Sequence, residues 1–206
     1  MNSAANSATL IKEVEEHEEL EVRLEPHAGD KMDAVAFERL PKFANKYELI
    51  KGVITMSPAG YFHDVVVAWL ITEINLFLRQ HRLGTVGASS AGFKLSDGDV
   101  LSPDVSFTSF ANIPEDELPQ GYAKIAPDLA VEIVSPFDRA TEIEEKVGAY
   151  LTHGTKLVWV INPRLQVATI YRANGNTRRI QATEFLEGED VLPGFQCRLI
   201  DILQSK

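Results

Sequence analysis

An α/β fold of the α+β kind, a mixed β-sheet with helices packed on it, is predicted by three features of the sequence. Helical and strand periodicities succeed one another along the chain. One strand segment is apolar throughout, as a central strand is, while others come as hairpins. No internal repeat and no long Pro/Gly/Ser linker divides the 206 residues, a length suited to a single domain. With 45% hydrophobic and 24% charged residues, the chain can bury a core without a disulfide or a structural metal.

The elements are justified in turn. Met32 to Leu40 sets Met32, Val35, Ala36 and Leu40 at helical spacing and ends before Pro41. Tyr47 to Met56 reads as strand, turn and strand around Lys51-Gly52, closed by Ser57-Pro58. The strongest helix follows: Val67, Leu70, Ile71, Ile74, Phe77 and Leu78 obey the i, i+3, i+4 rule. Arg79, His81 and Arg82 suit its C-terminal end before Gly84, and its many apolar positions imply burial on more than one face. Strands at Thr85 to Leu95 and Val100 to Phe107 flank the turn Ser96-Asp97-Gly98-Asp99. Leu129 to Val134 is the central strand, ended by Ser135-Pro136. Thr141 to His153 is a second helix that turns Ile143, Val147, Tyr150 and Leu151 inward and stops at Gly154. Leu157 to Ile161 and Val167 to Arg172 are strands, the latter leading to Asn174-Gly175, a two-residue hairpin signal.

Charge is spread unevenly. The formal net charge is −10, of which residues 1–40 carry 4 basic and 10 acidic side chains, or −6. The run Glu13, Glu15, Glu16, Glu18, Glu19, Glu21 and Glu25 reads as a solvated helix or loose tail without a catalytic role. Acidity on this scale argues against nonspecific coating of nucleic acid, though not against an enzyme that meets DNA through one local basic face. The longest uninterrupted apolar run, Val65 to Ile71, is a third of the roughly 20 residues a spanning helix needs, so no membrane partner is expected. The opening residues lack the basic and apolar regions of a secretory signal. Cys197 is the single cysteine, which excludes an intramolecular disulfide and points to a cytoplasmic address.

Chemistry concentrates on a few carboxylates. Glu132 interrupts an apolar strand and shares one face with Ala130 and Val134. A carboxylate there costs several kcal/mol unless it is exposed, protonated, paired or bound to a metal. Asp104 lies in a second strand segment, and two carboxylates converging from neighbouring strands make a hard oxygen site for Mg²⁺ or Mn²⁺. Structural readings stand beside this one: Asp104 after Pro103 caps a strand end, and Glu132 sits on a solvated face paired with a lysine. Lys146, beside the apolar face of the second helix, is the candidate catalytic cation; otherwise it forms a surface pair with Glu142.

Together these segments carry a resemblance. Pro103-Asp104-Val105, the stretch Pro127-Asp128-Leu129-Ala130-Val131-Glu132-Ile133-Val134-Ser135-Pro136, and Lys146-Val147-Gly148-Ala149-Tyr150 resemble the Uma-two family of restriction-endonuclease-like nucleases. Tyr47-Glu48-Leu49-Ile50-Lys51-Gly52, Met56-Ser57-Pro58, His63, Trp159-Val160-Ile161-Asn162-Pro163 and Leu192-Pro193-Gly194-Phe195 agree in order and spacing. The match runs from about Met32 onward, so residues 1–30 are expected to be an acidic arm and 31–206 the domain. The resemblance implies a restriction-endonuclease-like fold of the PD-(D/E)xK superfamily, in which an acidic pair binds a divalent metal and a lysine assists phosphodiester hydrolysis. Asp104 and Glu132 match the acidic pair. The usual lysine position, two residues after the glutamate, is Val134 here, while the family pattern puts a lysine on the following helix, where Lys146 stands. Glu48 matches a further acidic position that supports metal binding, or is a surface strand residue. Glu142 stands where the family commonly has Asp, and Gly154-Thr155 where it has Gly-Val.

His63 is either a cap or buried hydrogen-bonding residue, or a contact for phosphate or the attacking water. Arg139 either starts the second helix or touches substrate phosphate. Gly87 to Gly92 is not a nucleophile elbow, because Ala91 stands where the second glycine is needed and a strand follows. No phosphate-binding glycine loop, dinucleotide fingerprint or zinc-ligand spacing occurs. The expected function is a Mg²⁺- or Mn²⁺-dependent endonuclease acting on DNA. The alternative is an inactive nuclease-fold module that binds nucleic acid or protein. A homodimer would supply two sites for two strands, although the sequence shows no interface signature.

Overall fold

Hydrogen bonding divides the strands among a large sheet, a smaller one and a separate two-stranded ribbon near the C-terminus, and the boundary between the first two runs beside the candidate carboxylates. The computed structural model describes residues 26–40, 46–56, 60–136 and 138–203. Helix α1 (Ala34–Glu38) precedes the hairpin β1 (Tyr47–Ile50) and β2 (Val53–Met56), then the long helix α2 (Tyr61–Gln80). Strands β3 (Gly84–Ala88), β4 (Phe93–Lys94), β5 (Val100–Leu101), β6 (Val105–Ser109) and β7 (Leu129–Ile133) lead to helix α3 (Ala140–Thr152). Strands β8 (Leu157–Asn162), β9 (Val167–Arg172), β10 (Thr177–Gln181), β11 (Phe185–Glu187), β12 (Gln196–Arg198) and helix α4 (Leu199–Leu203) complete the fold. The acidic run Glu13 to Glu25, Pro41 and Ser57-Pro58 lie outside the described residues.

The large sheet has six strands in the order β10-β9-β8-β7-β6-β3, and the small one four in the order β2-β1-β5-β4. Only β7 and β8 pair in parallel within the large sheet. A parallel neighbour requires a crossover, and α3 provides it. Both faces of the large sheet are covered. On one side Val66, Val67, Leu70, Ile74 and Leu78 of α2 pack on Phe107, Leu129, Val131, Ile133 and Trp159. On the other, Ile143, Val147 and Tyr150 of α3 meet Ala130, Val158 and the small-sheet residues Ile50 and Leu101. Among the described residues α2 is the one helix long and apolar enough to cross a membrane, yet here Val66, Leu70 and Ile74 are wholly enclosed in the core.

Two expected strands divide where the chain changes sheet. The segment read as Thr85 to Leu95 becomes β3 in the large sheet and β4 in the small one, with a turn at Ala88–Ala91 between them. The segment read as Val100 to Phe107 likewise splits into β5 and β6 around Ser102-Pro103-Asp104. Proline has no N–H to give to a ladder, which suits a break at Pro103. The Ser96–Asp99 hairpin forms as expected, joining β4 to β5 through Leu95 N–H donating to the Asp99 carbonyl at 2.9 Å. The β9–β10 connection is wider than a two-residue turn: Arg172 N–H donates to the Asn176 carbonyl at 3.0 Å, with Gly175 at φ +84°.

Candidate active site

Alternation along β7 decides what Glu132 meets. Leu129, Val131 and Ile133 point toward α2, so Ala130 and Glu132 point toward α3. The buried row of α3 is Ile143, Lys146, Val147 and Tyr150, an i, i+3, i+4, i+7 stripe that contains a lysine. Lys146 Nζ lies 3.2 Å from Glu132 Oε2 and 2.5 Å from Glu48 Oε2 on β1, so one ammonium joins the large sheet to the small one. Tyr150 Oη donates to Glu132 Oε1 at 2.8 Å, and the Ser102 amide donates to Glu48 Oε1 at 2.7 Å. Glu48, Glu132 and Lys146 are 1%, 2% and 5% exposed, so these pairings are made away from water. Glu142 instead faces Arg139, 3.9 Å away, and the surface pair with Lys146 does not form.

Asp104 occupies the break between β5 and β6. Its Oδ2 accepts from the Ile133 amide at 2.9 Å, two residues past Val131 of the last β6–β7 pair, and lies 2.9 Å from His63 Nε2. Its Oδ1 takes Lys46 Nζ at 3.2 Å. The strand-end role and the cluster role are therefore one arrangement. His63, in the first turn of α2, also presents Nδ1 to Asp64 Oδ1 at 3.1 Å. With a carboxylate oxygen at each ring nitrogen, only the doubly protonated ring can donate to both.

Burial opposes every charge in this cluster, and the neighbours decide each outcome. For Asp104 burial acts upward, but the His63 hydrogen bond and the Lys46 charge hold the carboxyl well below its usual range. For His63 burial acts downward, and Asp104 followed by Asp64 raises it overall. Burial pushes Glu132 up to about 7, with Lys146 pulling the other way and the charges of Asp104 and Glu48 adding to the rise. Lys146 rises although burial opposes it, because Glu132 and Glu48 favour its charged form. Burial, then the Glu132 charge, carries Tyr150 far above the ordinary phenol range, so it stays a donor.

Five sequence candidates thus meet in one place: Asp104, Glu132, Lys146, Glu48 and His63. Arg139 does not join them; its side chain is 80% exposed at the start of α3. Lys46 and Tyr150 were not foreseen as members. Each carried a signal: Lys46 is two residues before Glu48, and Tyr150 is four after Lys146, on the same helix lane. Three carboxylates form a hard, oxygen-only donor set, which by its chemistry fits Mg²⁺ or Mn²⁺. In the present arrangement their oxygens are partnered by Lys146, Lys46, His63, Tyr150 and two amides. Among the described residues no three metal-ligating side chains surround a common point.

The family model Uma2, described as "Putative restriction endonuclease", matches residues 34–201. The chain belongs to the Uma2 family. Membership makes this a restriction-endonuclease-type nuclease by class, as the segments around Asp104, Glu132 and Lys146 implied. The Uma2 fold has a solved counterpart, a "putative nuclease belonging to DUF820" from Anabaena variabilis ATCC 29413. The two align with a TM-score of 0.76 at 23% identity, over 84% of this chain and 97% of that one. They share the mixed sheet flanked by helices. No curated protein matches this Uma2 sequence.

Proposed function

We propose that this Uma2 protein is a Mg²⁺- or Mn²⁺-dependent endonuclease that hydrolyses phosphodiester bonds in DNA. One observation carries the reading: Asp104, Glu132 and Glu48 come from separate chain segments into one buried cluster with Lys146. Burial raises Glu132 and the charges of Asp104 and Glu48 add to the rise, so a further cation at the cluster would favour its ionised form. Asp104 and Glu132 would hold the ion, with Glu48 as a further oxygen donor. A divalent ion there supplies Lewis acidity toward a phosphoryl oxygen and eases deprotonation of water. Lys146 supplies the fixed positive charge for the phosphoryl oxygens as negative charge builds. Tyr150 and His63 are positioning residues, holding the carboxylates of Glu132 and Asp104 through hydrogen bonds. Cutting both strands of a duplex calls for two such sites, which a homodimer would supply.

The purified protein should cut DNA with Mg²⁺ or Mn²⁺, and Asp104→Ala, Glu132→Ala and Lys146→Ala should each abolish cutting while the far-ultraviolet spectrum stays native. Full activity in any of the three would sink the assignment. The second reading, an inactive nuclease-fold module for nucleic acid or protein, is favoured by a specific feature: both oxygens of all three carboxylates already have N–H or O–H partners. It predicts no Mn²⁺ uptake in calorimetry, a result obtained before any cleavage assay.

A further inference from the structure

The sheet face that carries Glu132 continues across β6 into a cavity of about 420 Å³, within the size range of small-molecule sites. Along β6 the residues on that face are Ser106 and Thr108, paired across the ladder with Gly87 and Thr85 of β3. Ser106, the first of these, stands two residues after Asp104 in the chain. Ser106 and Thr108 are 2% and 6% exposed, and their hydroxyls are not among the enclosed polar atoms left without a partner. Both line the cavity. Two hydroxyls opening on one hollow can give a bound ligand the hydrogen bonds they otherwise make with water.

The lining specifies the ligand's character. Glu38 is the only charged side chain among the described lining residues, and a carboxylate repels phosphate. Tyr122 forms one wall, its ring stacked on Phe37 at 6.2 Å. That ring lies so close to Gly92 that a Cβ there would stand 2.4 Å from it. Gly87 is similarly bare, since a Cβ would meet Ser106 Oγ at 2.6 Å. Uncharged donors and acceptors, an aromatic wall and an exclusion of phosphate together describe a site for a neutral, flat, hydrogen-bonding ring. Glu38 adds an acceptor suited to an exocyclic amino group.

We propose that this cavity receives one unpaired nucleobase of the strand whose phosphate lies at the Asp104–Glu132 cluster. The proposal rests on the nuclease reading and adds to it a base-binding pocket beside the cleavage site. A duplex substrate would have to release that base from its stack, so distorted or single-stranded DNA is the favoured substrate.

The test uses the full chain in EDTA, titrated with each of the four deoxynucleosides and followed by NMR at the Thr108 methyl and the Tyr122 ring. At least one deoxynucleoside should shift both signals saturably. Tyr122→Leu should weaken that binding roughly tenfold through lost stacking. Thr108→Val, nearly isosteric and therefore safe for the fold, should weaken it several-fold through one lost hydrogen bond. Ala91→Leu, which fills the lining, should abolish it and lower metal-dependent cleavage of a single-stranded oligonucleotide. Unperturbed signals with all four deoxynucleosides, or binding unchanged in Ala91→Leu, would overturn the proposal. Because binding is read without metal, absence of cleavage in the wild type overturns the nuclease reading alone.

Discussion

Lys146 shows how much one side chain can hold in this protein. Its ammonium serves Glu132 from one sheet and Glu48 from the other, all three nearly free of solvent. Removing one partner of such a group leaves a buried charge uncompensated, a loss of about 3–5 kcal/mol in comparable pairs. Lys146→Met should therefore lower stability by an amount of that order in urea denaturation. Glu132→Gln added to Lys146→Met should recover part of the loss, because one stranded carboxylate is then neutral. Strictly additive losses would mean that the two groups do not interact across the 3.2 Å between them. Glu132 was legible from sequence because a carboxylate in an apolar strand calls for an explanation. Tyr150 was legible only as a core residue, since nothing along the helix shows that its hydroxyl ends on Glu132.

At the scale of elements, the strand ends around the site are fixed by close approach and by one buried carboxylate. Gly84 opens β3 opposite Ser109, where an added Cβ would stand 2.1 Å from the Thr108 carbonyl oxygen and 2.7 Å from Ser109 Cα. Backbone cannot yield as a side-chain end can, so Gly84→Ala should cost at least the roughly 1–3 kcal/mol of ordinary overpacking. A denaturation midpoint equal to wild type would refute this. Asp128, just before β7, accepts from the Ser109 amide at 2.9 Å, Asn112 Nδ2 at 2.8 Å and Lys156 Nζ at 2.8 Å. It thus ties the ends of β6, β7 and β8. Burial acts upward on this carboxyl, but the Lys156 hydrogen bond and the Ser109 amide bring it below its ordinary value. A carboxyl lowered on folding stabilises fully above its unfolded value near 4 and loses that contribution as pH falls through the folded value. Asp128→Asn should accordingly flatten the acid side of the stability-against-pH curve, leaving a smaller drop between neutral pH and pH 3.

For the whole molecule, the question is how a chain of net charge −10 would approach DNA, the proposed substrate. Residues 1–25 carry 2 basic and 7 acidic side chains, half of that net charge at −5. The carboxylates of the site are matched internally by Lys146, Lys46 and His63, so they add little to the outward field. A variant lacking residues 1–25 should bind DNA more tightly at low salt, and the gain should shrink as ionic strength rises. Fluorescence anisotropy at 50 and 200 mM salt measures both. Equal affinities at both salts would show that the acidic segment does not repel the substrate.

The sequence by itself determined the mixed sheet, the long buried helix, the family and the residue types of the site. These rest on periodicity, on polar residues in apolar strands and on spacing, all of which are local. Only the tertiary structure decided that two expected strands each divide between two sheets, because that depends on which neighbour offers the next hydrogen bonds. Lys46 reaches Asp104 from 58 residues away, Lys146 meets Glu48 across the sheet boundary, and Arg139 stays in solvent beside Glu142. Each outcome follows from where a side chain ends once its backbone is placed, and sequence spacing carries no record of that.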